Sequence, residues 1–477
     1  MAAGIALPIV LNRGSTLAGP VGSASTPPKA LSAWQVSETQ LPYAEGFGTF
    51  SYAANDLVTV TEKAVTTFAR DTGKQLWQVT PPASAGNLFC AVSRNMVNGM
   101  VAVAFGAAMP GKASSTTTPN AQCLSTGLLD LATHKFRWVR QLPALSDGAT
   151  PPNGQALVIA GNYVYAGLQS VIDRVTLTDG AVQTLGQLGE NSLDTCNLDD
   201  MAVDAETIYL TCFDEDGTNG TDGSVEKVVE LAAASGQVTA SASLSAAAVK
   251  LPPDPDATGG GLEFGGAMIV STSPLILVLD NENGSQTDSS FIRLDSSLKV
   301  VWAQEQPTDA QGQLDATLDN PFLLNGMHDF SRATVARGLL YLVTTYEQSS
   351  QPVVNQVVAL DVNNGQRRWT TSVPNTSLVD PVAITGNSLL VAGARLVSSN
   401  VDNPSTVLAT FNATSGALTA TREQPLPIVG AASGITLAGD GVDALAEAFW
   451  LVADGRLYGM TVIQGGGQNA PTLFSVG

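Results

Sequence analysis

The chain has 477 residues, with 22 Lys and Arg against 42 Asp and Glu, and a formal net charge of −20. Only 13% of the residues are charged while 44% are hydrophobic, which excludes a disordered polyelectrolyte. The acid excess denies the chain the basic footprint that phosphate backbones need, and no run of about 20 apolar residues is present to span a bilayer.

From Met1 to Leu11 the sequence is apolar with no Lys or Arg before it. Such a stretch reads as the remnant of a trimmed signal or anchor, or as an apolar tail. Residues 13–31, rich in Gly, Ser, Thr, Ala and Pro, read as a flexible linker. Beyond them, helical periodicity gives way to short β-branched runs ended by Gly, Asn or Asp, the signature of strands and tight turns.

One phrase recurs in chain order: an apolar strand, a tight turn, and a strand that often carries Trp. It occurs at Thr67–Trp77, Leu128–Trp138, Ile292–Trp302 and Ala359–Trp369, and without Trp around Thr178-Asp-Gly180, Ala234-Ser-Gly236 and Thr414-Ser-Gly416. Gly supplies the positive φ of the turn, Asp, Asn, Ser or Thr cap it, and Trp buries a large face between sheets. Each unit of about 45–65 residues suffices for four strands that cannot bury both faces alone, so units stack radially. Near the C-terminus, Phe449–Val452 and Arg456–Met460 form a hairpin with no outer Trp strand after it, whereas Ser32-Ala-Trp-Gln-Val36 repeats the outer-strand pattern at the other end. The expectation is an all-β, eight-bladed β-propeller with four-stranded antiparallel blades, closed by an N-terminal strand that completes the last blade. Seven blades is the alternative if one degenerate copy is an insertion. The propeller is expected over 32–465, after an N-terminal stump and linker at 1–31 and before a C-terminal tail at 466–477.

The phrase A-x-D-x-x-T-G-x-x-x-W resembles the tryptophan-docking motif of pyrroloquinoline-quinone (PQQ)-like, BamB-like propellers. Ala359-Leu-Asp361…Gly365…Trp369 is the best match, with Asn364 in place of Thr; Thr72-Gly73…Trp77 has Ala69 at the Asp position. The resemblance covers about residues 32–462. It implies the propeller fold, and a family of quinoprotein dehydrogenases, envelope assembly factors and sensor modules. The enzymatic members hold the quinone and a calcium in the central funnel, often over a disulfide between adjacent cysteines. No Cys-Cys pair occurs here, and no stretch maps onto the calcium and base carboxylates, so an enzyme is not expected.

The four cysteines fit no CxxC pattern. Two sequence-local pairs, Cys90 with Cys123 and Cys196 with Cys212, suggest disulfides and an extracytoplasmic compartment; four buried thiols is the alternative. In a four-stranded blade the A–B and C–D turns lie on one face, and the B–C and D–A connections on the other. The turns on the first face read as brief. On the second face, long connections are expected at 106–122, 213–224, 245–265, 280–290, 304–330, 346–354 and 396–404, where function concentrates.

Within these connections, Asp214, Asp216, Asn219 and Asp222 form a candidate calcium loop, although it misses the EF-hand register. Asp280-Asn-Glu-Asn-Gly284 is a weaker one. Phe322, Leu323, Met327 and His328 form an apolar candidate for partner binding, or pack on the next blade. His134 falls in a C–D turn on the short-turn face and is expected to be solvated. No cofactor other than calcium is expected. The chain is read as a monomeric, secreted, periplasmic or membrane-anchored binding or scaffold protein, whose partner is a protein or cell-envelope component. Nucleic acid is excluded, and a membrane enters only through an N-terminal anchor. The alternative is the ligand-sensing ectodomain of a receptor or kinase, with a PQQ-dependent dehydrogenase as the third reading.

Overall fold

The computed structural model describes residues 34–36, 48–53, 55–108, 121–142, 156–168, 171–187, 197–214, 225–244, 249, 263–283, 286–305, 333–346, 354–373, 378–395, 405–425, 449–453, 456–460 and 473–476. These contain thirty-two strands in eight four-stranded antiparallel sheets. Blade 1 comprises β2 (Gly48–Tyr52), β3 (Asp56–Val60), β4 (Val65–Ala69) and β5 (Gln75–Val79). Blade 2 comprises β6 (Leu88–Val92), β7 (Met100–Ala108), β8 (Ala121–Asp130) and β9 (Lys135–Gln141). Blade 3 runs from β10 (Ala156–Ala160) through β11 (Tyr163–Leu168) and β12 (Val171–Thr176) to β13 (Val182–Gln187). Blade 4 runs from β14 (Asn197–Val203) through β15 (Thr207–Asp214) and β16 (Val225–Ala232) to β17 (Val238–Leu244). Blade 5 has β18 (Glu263–Thr272), β19 (Leu275–Asn283), β20 (Gln286–Leu294) and β21 (Val300–Glu305). Blade 6 has β22 (Ala333–Ala336), β23 (Leu339–Tyr346), β24 (Val354–Asp361) and β25 (Arg367–Val373). Blade 7 has β26 (Leu378–Thr385), β27 (Ser388–Arg395), β28 (Ser405–Asn412) and β29 (Leu418–Pro425). Blade 8 is built from both ends of the chain. Its order is β30 (Phe449–Ala453), β31 (Arg456–Met460), β32 (Leu473–Val476) and, outermost, β1 (Trp34–Val36), with Trp34 opposite Ser475.

The core is a set of layers between blades. Seven clusters of buried side chains each draw on two neighbouring sheets, as where Phe68 of blade 1 meets Trp34, Leu451 and Tyr458 of blade 8. The repeated phrase builds these layers. Trp34, Trp138, Trp302 and Trp369 donate their indole N–H to the carbonyls of Arg70, Leu177, Val362 and Ala413 in the next blade, at 2.8, 3.1, 2.9 and 3.2 Å. Each ring lies over the turn glycine of that blade: a Cβ at Gly180 would stand 2.8 Å from Trp138, and one at Gly365 2.9 Å from Trp302. Both glycines have φ of +70°, so the turn needs glycine for its backbone and the tryptophan needs it for its space.

In blades 1, 2, 5 and 6 the outer strand is bulged at the residue just before its Trp, namely Leu76, Arg137, Val301 and Arg368. The bulge turns that side chain outward, which leaves Leu76 and Val301 47% and 45% exposed. Where the residue is Arg it reaches back to the Asp of the same phrase, Arg137 to Asp130 at 2.8 Å and Arg368 to Asp361. Each Asp also caps its turn, Asp130 accepting from the Ala132 and Thr133 amides and Asp361 from Asn363. The guanidinium hydrogen bond is the main reason that both carboxyls are held below the ordinary Asp range.

Three expectations are corrected. The 280–290 stretch is a hairpin rather than a loop: β19 and β20 stay paired from Leu275 with Leu294 to Asn283 with Gln286. Ladder pairing outweighs the weak strand propensity of Asp and Asn there. The 466–477 tail supplies β32, so the domain does not end at 465; four residues after a Gly- and Pro-containing stretch are too few to read as a strand. Not every turn on the short-turn face is brief, because the A–B connection of blade 2 runs over residues 93–99.

Candidate functional site

That longer connection projects into the interior of the ring. The Arg94 amide donates to the Leu157 carbonyl at 3.0 Å. The Asn95 side chain accepts from the Ile159 amide at 2.9 Å and donates to the Ile159 carbonyl at 2.7 Å. Residues 94 and 95 thus cover part of the free edge of β10, the first strand of blade 3. From this position the Arg94 guanidinium passes beyond blade 3 and forms an ion pair with Asp200 of β14. Asp200 is fully buried, and it also accepts from the Ile269 amide of β18 and the Met201 amide, both at 2.8 Å. A carboxylate buried this deeply needs donors of this kind for its oxygens.

Asp199 beside it is the extra residue of a β-bulge, since Leu198 pairs with Cys212 and Asp200 with Thr211. A bulge places both of its side chains on one face, here the one toward blade 5. Asp199 is intermediate in exposure as a residue, yet its Oδ2 is sealed from solvent. Its neighbours include Glu226 of β16, which is completely buried, and the Ala267 backbone of β18. Burial pushes the Asp199 carboxyl up to about 7, while Glu226 and the Ala267 backbone lower it in part. Burial likewise raises Asp173 in blade 3, countered by the Thr184 hydroxyl at 2.7 Å.

The two sets of connections differ in composition as well as in length. The B–C and D–A segments carry twenty Asp or Glu and four Lys or Arg, whereas the A–B and C–D turns carry six and five. Two strands that border these connections are covalently fixed. Cys90, in the bulge of β6, bonds to Cys123, the third residue of β8 after the 109–120 segment. Cys212, three residues before the start of the 215–224 segment, is also disulfide-bonded.

Of the residues singled out from the sequence, Cys90 and Cys123 are joined as expected, while Cys196 lies outside the described residues. Asp214 is the last residue of β15; its side chain lies outside the described residues, as do Asp216, Asn219 and Asp222. Phe322, Leu323, Met327 and His328 lie outside them too. His134 is exposed, and its ring stacks on Trp77 with centroids 4.4 Å apart. Among the described residues, no group of three or more His, Cys, Asp or Glu is arranged to hold a metal. Sequence reasoning missed Arg94, Asp199, Asp200 and Glu226. Adjacent Asp199 and Asp200 within a strand pattern were the available signal, because buried strand positions seldom carry two carboxylates.

The architecture is that of a β-propeller with tryptophan-docked blades. No family model matches the chain, and no curated protein matches it either. Among solved structures it is similar to BamB from Moraxella catarrhalis, with 13% identity, 93% of this chain and 98% of that chain covered, and a TM-score of 0.46. It is also similar to a quinohemoprotein alcohol dehydrogenase from Pseudomonas putida, with 11% identity, 93% and 75% covered, and a TM-score of 0.49. The enzyme of the same type from Comamonas testosteroni gives 13%, 94% and 76%, and 0.46. At these identities the likeness concerns the fold alone.

Proposed function

We propose that the chain is an extracytoplasmic binding propeller which engages a basic protein or cell-envelope surface through its B–C and D–A face, and does not catalyse a reaction. The observation that carries this reading is the charge asymmetry between the faces, twenty acids against four bases on one and six against five on the other. A concentration of one sign steers an oppositely charged partner and selects against like-charged ones. Anchoring the acidic 215–224 segment at Cys212 reduces the freedom lost on binding, and disulfides suit an oxidising compartment.

The test is capture from envelope extract with three proteins: wild type, a variant with 215–224 replaced by Asn-Gly, and one with Asp309, Asp315, Asp319 and Asp329 changed to Asn. The expected result is a specific wild-type partner, released by added salt and captured at least about tenfold less by one variant. Equal, salt-insensitive capture by all three would overturn the reading. Dye reduction with alcohols on adding PQQ and Ca²⁺ would overturn its non-catalytic part.

A further inference from the structure

The disulfide of blade 2 joins strands that are not neighbours. Cys90 belongs to β6 and Cys123 to β8, with β7 between them. Strands two places apart in a regular sheet lie about 9.5 Å apart. Here the two Cα atoms are 6.0 Å apart, so β6 and β8 are drawn together over β7 at this point. The residue of β7 opposite Cys123 is Gly106, which has no side chain to obstruct the bond. Both cysteines stand at β-bulges. Cys90 is the extra residue between Phe89, opposite Phe105, and Ala91, opposite Ala104, and Cys123 immediately precedes the extra residue Leu124 of β8.

What the bond restrains is the innermost strand. Among the described residues, β6 pairs with β7 alone, at four positions from Leu88 with Gly106 to Val92 with Val103. Beyond its end, Arg94 and Asn95 bond to β10 of blade 3, and Arg94 pairs with Asp200 of blade 4, which accepts from Ile269 of blade 5. Cys90 stands four residues before Arg94, a reach of about 14 Å at most, so the bulge at Cys90 sets where Arg94 arrives. We propose that the Cys90–Cys123 bond is a reducible pin: closed, it holds the bulge that seats residues 93–95 against blades 3 and 4, and opened by a dithiol, it releases them.

The step is a thiol–disulfide exchange. Cys90 is partly exposed and Cys123 is 1% exposed, which directs attack to Cys90. One thiolate of the dithiol attacks the Cys90 Sγ, the Sγ–Sγ bond breaks, and Cys123 leaves as a thiolate that takes up a proton. The second thiol then displaces Cys90 from the mixed disulfide. The dithiol ends as a disulfide, and two electrons and two protons end on Cys90 and Cys123.

The consequence is local. Phe89 packs in the layer toward blade 1 and Ala91 in the layer toward blade 3, a change of face that the extra residue makes possible. A slip of the whole strand by one residue would turn buried Phe89 to the wrong layer, and that cost forbids it. Opening therefore loosens Val92 onward instead of moving the strand. The two states differ in the 93–99 connection and in the edge of β10 that it covers.

Hydrogen–deuterium exchange of the whole chain, oxidised and after incubation with dithiothreitol without denaturant, tests the pin, with iodoacetamide and peptide mapping to identify the opened cysteines. Peptides over 93–99 and β10 are expected to lose protection by about tenfold or more on opening, while β24 and β25 of blade 6 stay level. Dithiothreitol also acts on the bond at Cys212, so a Cys90→Ser/Cys123→Ser protein, which lacks only the pin, is expected to show the same loss. If that variant fails to fold, a time course that compares exchange at 93–99 with alkylation of Cys90 and of Cys212 carries the test. Alkylation of Cys90 and Cys123 only in molecules whose blade 6 has also opened, or equal protection of 93–99 with the bond closed and open, would overturn the proposal.

Discussion

The junction of blades 5 and 6 and that of blades 4 and 5 fill the same space from opposite sides. In the first, Trp302 of the outer strand lies on Gly365 of the following turn. In the second, the outer strand offers Ala240 and the turn offers Leu298, which takes the positive φ of 57° that glycine takes elsewhere and is 2% exposed. Leu298 belongs to the cluster against which Ala240 and Ala242 pack. At this junction Leu298 supplies from the turn side the bulk that Trp302 supplies from the strand side at the other. What cannot be exchanged is the directed bond: the indole N–H of Trp302 has an acceptor at 2.9 Å, and a leucine has none to offer. One junction is therefore latched by an oriented donor, and the other by shape and buried charge.

The largest expected effect comes from removing the oriented latch. Trp302→Ala is expected to cost about 3–5 kcal/mol, read as a fall in the unfolding midpoint. Ala240→Gly, at the corresponding position of blade 4, is expected to cost under about 1 kcal/mol. Equal costs would show that the two junctions are not alternatives.

A sharper test converts one junction into the other. Leu298→Gly alone is expected to lose about 2–4 kcal/mol through the cavity it leaves. Adding Ala240→Trp is expected to restore at least about 1 kcal/mol in a double-mutant cycle. Additive costs would break the volume argument.

A smaller effect is expected at His134, which stands at φ 58° in the turn where glycine docks Trp elsewhere, and stacks on Trp77. His134→Gly relieves left-handed strain but loses the stack. The two nearly cancel, leaving a change within about 1 kcal/mol by midpoint shift.

The smallest effect belongs to Asp361→Asn, whose partner Arg368 is half exposed, and about 1 kcal/mol is an upper bound. Because Arg368 lowers the carboxyl, this contribution is fully present above the ordinary Asp value and is lost as pH falls through the depressed one. Acid titration of the midpoint in wild type and variant would check it.

Much of this architecture was legible because the phrase repeats. A turn glycine and a tryptophan four residues later recur often enough to reveal the blade period, and the unmatched Trp34 pointed to closure by the N-terminal strand. The Leu298 substitution hid for the same reason that it works: its meaning depends on Ala240, 58 positions earlier, and neither residue is unusual alone. The inner charge cluster was less legible. Arg94 sits in what reads as a turn, and only the ring brings it past blade 3 to Asp200. Glu226 follows an acidic loop, so its sequence context suggests solvent although its surroundings in blade 4 are dry. The β20 hairpin failed by composition, since Gln286, Thr287 and Asp288 resemble a loop until partners across the ladder are known.

Closure by β1 has a consequence in time. The carbonyl of Arg70 receives Trp34 at 2.8 Å, Arg456 at 2.7 Å and Tyr458 at 3.5 Å, so one acceptor is completed only by residues from both ends. During N-to-C synthesis at about 5–20 residues per second, β1 waits roughly 20–90 seconds before β32 exists to pair with it. Throughout that interval Trp34 can already rest on Gly73 while its own strand edge is bare, a state open to capture by other strands. For a growing chain of this kind, the vulnerable species is the nearly finished ring.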